Sequence, residues 1–129
     1  MGRGRTAWQL RLSALRWVEF QVAARKIKRK TEAYEFVATQ FGRTSQVVQE
    51  WRKEAATALG SAVVREALDT SRRLGELAVT IKRQVADRTA DDKYRDYLMH
   101  LENVYSDDAL KKLAKSFRAL PRKKRGIGK

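Results

Sequence analysis

Two pairs of neighbouring carboxylates, Asp91–Asp92 and Asp107–Asp108, come closest to catalytic or metal-binding chemistry in this sequence. Both pairs stand where helices are predicted to begin, and a helix N-terminus stabilises acidic side chains without any bound ion. Other ligands are scarce, because the chain has no cysteine and its one histidine is His100. It also has no glycine-rich phosphate-binding loop. We therefore expect no enzymatic activity, no metal ion, no cofactor and no small-molecule substrate.

The charge of the chain points to a different kind of chemistry. The formal net charge is +14, with nine basic and one acidic residue in 1–30 and nine basic and no acidic residues in 111–129, which leaves −3 on residues 31–110. Basic ends attract nucleic acid phosphates by counterion release, and they equally attract an anionic membrane surface or an acidic protein. No apolar run is long enough to span a bilayer and no signal peptide is evident. We expect a soluble, cytoplasmic, nucleoid-associated protein without a membrane partner.

Residues 31–56 have the pattern of two short helices joined by a tight turn. Apolar residues recur there at helical spacing: Tyr34, Val37, Ala38 and Phe41, then Val47, Val48 and Trp51. Between the two sets, Gly42 can adopt the left-handed conformation that ends a helix. Thr44 can then accept a hydrogen bond from a free backbone N–H of the next helix. The pattern therefore predicts a helix-turn-helix.

This segment resembles the helix-turn-helix DNA-binding units of transposases, phage terminase small subunits and small repressors. The residues that carry the resemblance are Ala38, Gly42, Thr44, Val48 and Trp51, over about a fifth of the chain. Arg43 stands where those units usually have an apolar residue, so either the turn opens slightly for Arg43 to reach solvent or a phosphate, or the segment is an ordinary helical hairpin inside a bundle. The resemblance implies that the helix from Ser45 to about Ala55 enters the major groove of double-stranded DNA. The candidate base-reading residues are Ser45, Gln46, Gln49, Glu50 and Lys53.

Phosphate contacts are expected from basic and hydroxyl side chains around this unit. The candidates are Arg43, Thr44 and Arg52 in the unit, Arg25, Lys26, Lys28, Arg29 and Lys30 before it, and Arg122, Lys123, Lys124 and Arg125 near the last residue. Arg3-Gly4-Arg5 looks like the core of an AT-hook, although Thr6 stands where that motif has proline. Arg3 and Arg5 are therefore candidates for a minor-groove arm, with a solvated basic tail as the alternative.

The predicted fold class is all-α: a multi-helix bundle with a helix-turn-helix, a long helix in its C-terminal half and disordered basic ends. We expect a disordered arm at 1–5, one domain at 6–120 and a basic tail at 121–129. Long helices are predicted at 6–30 and 61–87. The second has a coiled-coil-like stripe that could pack inside the domain or form a homodimer or higher oligomer. Gly75 in its middle suggests a close helix crossing.

The function that these expectations favour is DNA binding by a transcriptional regulator of phage or mobile-element type. Three alternatives stay open. A phage-type small packaging or other DNA-assembly subunit would use the same unit in a ring, and an RNA-binding protein would stack bases on Trp8, Tyr94 or Tyr97. An adaptor would use its basic ends on an acidic protein or a membrane.

Overall fold

The computed structural model describes residues 2–121, with side chains from residue 5 onward. Within that range the chain forms six helices and no strand. The helices are α1 (Gly2–Ala23), α2 (Lys30–Phe41), α3 (Ser45–Leu59), α4 (Ser61–Ala86), α5 (Asp92–Val104) and α6 (Asp107–Ala119). The prediction of an all-α fold is confirmed.

Helix α1 is the central element, because it packs against α2, α3, α4 and α6. Its largest buried side chains, Leu15, Trp17 and Phe20, are each at most 2% exposed. They point to several sides of the helix, as expected for a helix that is covered on more than one face. The core is therefore arranged around α1.

The predicted limits of the first helix are wrong at both ends. The helix begins at Gly2 rather than at residue 6, and it ends at Ala23 rather than at residue 30. It ends because Arg25 adopts the left-handed conformation, with φ of 61°. The amide of Lys26 then bonds the carbonyl of Gln21 at 3.0 Å, and that of Arg25 bonds Val22 at 3.1 Å, which is a Schellman ending. Glycine usually occupies this position, so an arginine there gives no sequence signal.

Helix α4 crosses α1 at Gly75, which confirms the close crossing suggested by that glycine. A Cβ atom at Gly75 would lie 2.7 Å from both the Phe20 carbonyl oxygen and the Ala23 Cβ. Ser71 and Ala78, one helical turn to either side, are also buried. Most of the apolar stripe of α4 is therefore covered within the chain.

The corner between α5 and α6 is attached to α1 by polar and aromatic contacts. Helix α5 begins at Asp91, whose carboxylate accepts from the Tyr94 amide at 3.1 Å, and α6 begins at Ser106, whose hydroxyl accepts from the Ala109 amide at 3.0 Å. The Trp17 indole N–H donates to the Ser106 carbonyl at 3.1 Å. Tyr105 stacks on Phe20 with ring centroids 4.1 Å apart. The contacts of Trp17 and Phe20 hold the start of α6 beside α1.

Candidate nucleic-acid interface

Helices α2 and α3 are joined by three residues whose backbone explains the sharp corner. Gly42 is left-handed, with φ of 67°, and the Arg43 amide bonds the Ala38 carbonyl at 2.9 Å. Thr44 is extended, and its hydroxyl accepts a hydrogen bond from the Val47 amide at 3.2 Å. The C-terminal and N-terminal caps therefore lie on either side of Arg43, and α3 leaves α2 in a defined direction.

The inner face of α3 is anchored by aromatic packing. Val48, Trp51 and Ala55 are buried at helical spacing. The Trp51 ring lies 5.5 Å from Phe41 of α2 and 5.7 Å from Phe117 of α6, measured between centroids. Because α2, α3 and α6 meet at these rings, α3 cannot rotate about its axis without breaking the cluster. Its opposite face is thereby fixed toward solvent.

The outer face of α3 carries four of the five candidate base-reading residues. Gln46, Gln49, Glu50 and Lys53 are all exposed. Ser45, the fifth, is half-buried, and its hydroxyl accepts a hydrogen bond from the Gln49 amide at 3.1 Å. The five residues lie on one helix, and they offer a hydroxyl, two planar amides, a carboxylate and an ammonium group as hydrogen-bonding groups.

Two of the candidate phosphate ligands are instead paired inside the domain. Glu19 of α1 is only 8% exposed, and its Oε2 lies 3.3 Å from the Arg52 guanidinium and 3.0 Å from the Lys30 ammonium. Because one carboxylate is held by two cations on two helices, it ties α2 and α3 to α1. The structure thus gives Arg52 and Lys30 an internal partner that sequence reasoning did not foresee.

The other basic residues before α2 lie in the connection between α1 and α2. Arg25, Lys28 and Arg29 are exposed, and so is Lys26. Lys26 is nevertheless shared, because its ammonium lies 3.2 Å from Glu102, which also receives Lys82 at 3.2 Å. Burial acts to raise the pKa of Glu102, but the hydrogen bonds from Lys82 and Lys26 outweigh it and lower that pKa below its usual value.

A second group of cations surrounds Phe117 at the junction of α1, α3 and α6. The Arg11 guanidinium lies 4.6 Å from the Trp8 ring centroid, 5.5 Å from Trp51 and 5.3 Å from Phe117. Arg43 of the corner is exposed, and its guanidinium also lies 5.3 Å from the Phe117 ring centroid. Burial lowers the pKa of Arg11 from its usual value, partly offset by Glu54, while Arg43 acts in the same direction as burial. The Arg11 Nε has no hydrogen-bond partner among the described residues.

Helix α6 contributes a basic face that was not among the candidate site residues. Lys111, Lys112, Lys115 and Arg118 are exposed on it, while Leu110, Ala114 and Phe117 are buried. The Arg118 guanidinium donates to the Gln40 carbonyl at the end of α2. The signal was present in the sequence as lysines at helical spacing opposite the apolar stripe. Its position beside the α2–α3 corner, however, depends on how α6 packs.

Several candidates lie outside what the structure describes. These are the side chain of Arg3 and the whole of Arg122, Lys123, Lys124 and Arg125. Arg5 is exposed on the first turns of α1. Among the described residues, no group of three or more acidic, histidine or cysteine side chains could hold a metal ion. None of the described helices is long and apolar enough to cross a membrane.

The exposed side chains of this region are mainly cations and amide groups. The exposed face of α3, Arg43 at the corner and the basic face of α6 all belong to elements that meet at the cluster of Phe41, Trp51 and Phe117. Comparison of the chain with protein-family models, curated proteins and solved structures finds no match.

Proposed function

We propose that this protein binds double-stranded DNA by placing α3 in the major groove. The observation that carries the proposal is the fixed orientation of α3: Trp51 is 3% exposed behind it, while Gln46 and Gln49 are exposed in front. The major groove of B-DNA admits one α-helix, and side chains from its N-terminal half reach the base edges. Helix α3 suits that role because it begins at a capped turn and has exposed glutamine amides in its first turns.

Each exposed side chain of α3 has a definite hydrogen-bonding role in this proposal. Gln46 and Gln49 present amides that can bond N6 and N7 of adenine in a bidentate manner. Glu50 can accept from N4 of cytosine, and Lys53 can donate to guanine. Ser45 holds the Gln49 amide through a 3.1 Å hydrogen bond, so it orders Gln49 before DNA arrives. Base contacts of this kind specify sequence, whereas phosphate contacts set position.

The phosphate contacts are proposed to come from the corner and from α6. Arg43 is exposed at the corner, and α6 adds Lys111, Lys115 and Arg118 beside it. Arg52 and Lys30 already share Glu19 and contribute less, because a phosphate would have to compete with that carboxylate. The cations of residues 122–129 follow α6 in the chain and would extend the same contact. Each phosphate neutralised contributes about −0.9 to the slope of log K against log salt concentration.

A transcriptional regulator is the role that we favour, with packaging or RNA binding as alternatives. A packaging subunit would need a ring or another large assembly, and its contact surface would have to lie outside the stripe of α4 that α1 covers. RNA binding is supported by Tyr94 and Tyr97, which are 51% and 40% exposed on α5. That helix carries three carboxylates and two basic side chains, however, which makes it a weak site for a nucleic acid.

A selection of random duplexes at moderate salt tests the proposal. A recovered consensus would support sequence reading, and a palindromic one would indicate a twofold assembly. Lys53→Ala should then reduce binding of the selected duplex by about tenfold. The matched control is Lys93→Ala, an exposed lysine on α5, which should change binding much less. Equal losses in both variants, or selection of no sequence, would refute base reading by α3. Preferential binding of single-stranded RNA would instead favour the alternative that the protein binds RNA.

A further inference from the structure

An open cavity of about 370 Å³ lies between α1, the end of α5 and α6, away from the outer face of α3. Its walls are apolar, formed by Trp17, Val104 and Leu113. Two cationic side chains, Arg16 and Lys112, also line it. The volume is at the small end of the range of about 300–1,000 Å³ that is usual for small-molecule sites, which combine apolar walls with few polar groups.

Arg16 is held in place by neutral partners. Its Nε donates to the Ser71 hydroxyl at 2.9 Å and its Nη2 to the Tyr105 hydroxyl at 3.3 Å. Ser71 and Tyr105 are joined by their own hydrogen bond of 2.9 Å, so the network is rigid. No carboxylate among the described residues forms an ion pair with Arg16. A half-buried guanidinium whose neutral partners take two of its N–H groups has further N–H donors for a ligand.

The neighbouring cavity has the opposite character. It shares Trp17 and Tyr105 with the first, but its charged lining is three carboxylates, Glu102, Asp107 and Asp108, and one cation, Lys26, which pairs with Glu102. Positive charge is therefore concentrated on one side of the Trp17–Tyr105 wall and negative charge on the other. An anion that approaches this part of the molecule is directed to the Arg16 side.

We propose that the cavity of Arg16 and Lys112 binds a small organic anion. The ligand has a carboxylate or phosphate group, which accepts from Arg16 and faces Lys112, and an aromatic or branched apolar body. That body packs on Val104 and Leu113, while the Ser13 and Ser116 hydroxyls bond its polar edge. The site uses no residue of the outer face of α3, so it stands whether or not the protein binds DNA.

Chemical-shift changes of backbone amides measure this binding on the full chain. The probes are benzoate and phenyl phosphate, which separate the two anionic groups; benzyl alcohol tests the body alone and inorganic phosphate the anion alone. With at least one aromatic anion we expect saturable shifts centred on Ser13, Arg16 and Lys112. With benzyl alcohol and with inorganic phosphate we expect much weaker shifts. No saturable binding of either aromatic anion, or shifts centred elsewhere, would overturn the proposal.

Two exposed neighbours on α6 provide a matched pair of variants. Lys112→Glu places a negative charge at the mouth of the cavity and should weaken binding about tenfold, because an attraction becomes a repulsion. Lys111→Glu makes the same change of net charge on a side chain that does not line the cavity, and it should have little effect. Equal weakening in both would show non-specific attraction and refute the site. Arg16→Gln, with folding checked by thermal melting, should abolish saturable binding; wild-type affinity in a folded Arg16→Gln protein would also refute it.

Discussion

Replacing Gly75 by alanine tests the crossing of α1 and α4 on which the whole bundle depends. The new Cβ would lie 2.7 Å from the Phe20 carbonyl oxygen and the Ala23 Cβ, and 2.9 Å from the Ala24 amide nitrogen. Non-bonded carbon atoms prefer separations of about 3.5–4.0 Å, so the helices must move apart by about 1 Å. Two of the three obstacles are backbone atoms, which cannot turn away as a flexible side chain can.

The expected loss of stability follows from two opposing terms. Overpacking costs about 1–3 kcal/mol, and contact with backbone places this site near the upper value. Alanine is better than glycine in a helix interior by about 1 kcal/mol. The net destabilisation of Gly75→Ala should therefore be about 2 kcal/mol, or about 8 °C in Tm for a domain of this size. The hydrogen bond between Arg16 and Ser71 spans the same two helices and should weaken as well.

Urea denaturation measures the free energy of unfolding of the variant, and Thr70 provides the control. Thr70 is exposed in the same helix, so comparing Thr70→Ala with Thr70→Gly should show the ordinary preference for alanine of about 1 kcal/mol. If Gly75→Ala is neutral, or stabilises the protein as much as the Thr70 comparison predicts, the close crossing is refuted. The placement of α1 against the other helices would then need revision.

Three further predictions concern helix ends, acid stability and salt dependence. Gly42 and Arg88 are both left-handed, with φ of 67° and 59°. Gly42→Ala should therefore destabilise the protein by about 1 kcal/mol in urea denaturation, and Arg88→Gly should stabilise it by a similar amount. Two variants that both stabilise or both destabilise the protein would contradict this. The pKa of Glu102 is lowered, so its contribution to stability is present above its usual value of 4.5 and is lost as the pH falls through the lower folded value. Glu102→Gln should therefore lose less stability than wild type between about pH 5 and pH 3 in acid titrations. If α6 contacts phosphates, the double variant Lys111→Ala, Lys115→Ala should make the slope of log K against log salt less negative by about 2; an unchanged slope would exclude those contacts.

Local sequence pattern predicts part of the candidate site. The exposure of Gln46 and Gln49 follows from the burial of Val48 and Trp51, since helical spacing places the two pairs on opposite faces. The role of Arg52 does not follow in this way. Its partner Glu19 is 33 residues away in the chain, and no local pattern indicates that α1 brings a buried carboxylate to that point.

The helical class and the helix ends that use standard capping residues follow from local sequence pattern. Gly42 and Thr44 mark the corner between α2 and α3, and Ser106 opens α6, because each supplies a local backbone conformation or hydrogen bond. The end of α1 depends on tertiary contacts instead, since Arg25 adopts a left-handed conformation that packing must stabilise against its own preference.

Tertiary packing also decided which surfaces remain available. The stripe of α4 could have paired with a second copy, but contact with α1 covers it within the chain. The charge of Arg16 is exposed to a cavity rather than paired, because α1 meets Ser71 and Tyr105 there instead of a carboxylate. Hydrophobic periodicity predicts which residues share a face of a helix, whereas long-range packing alone determines what covers that face.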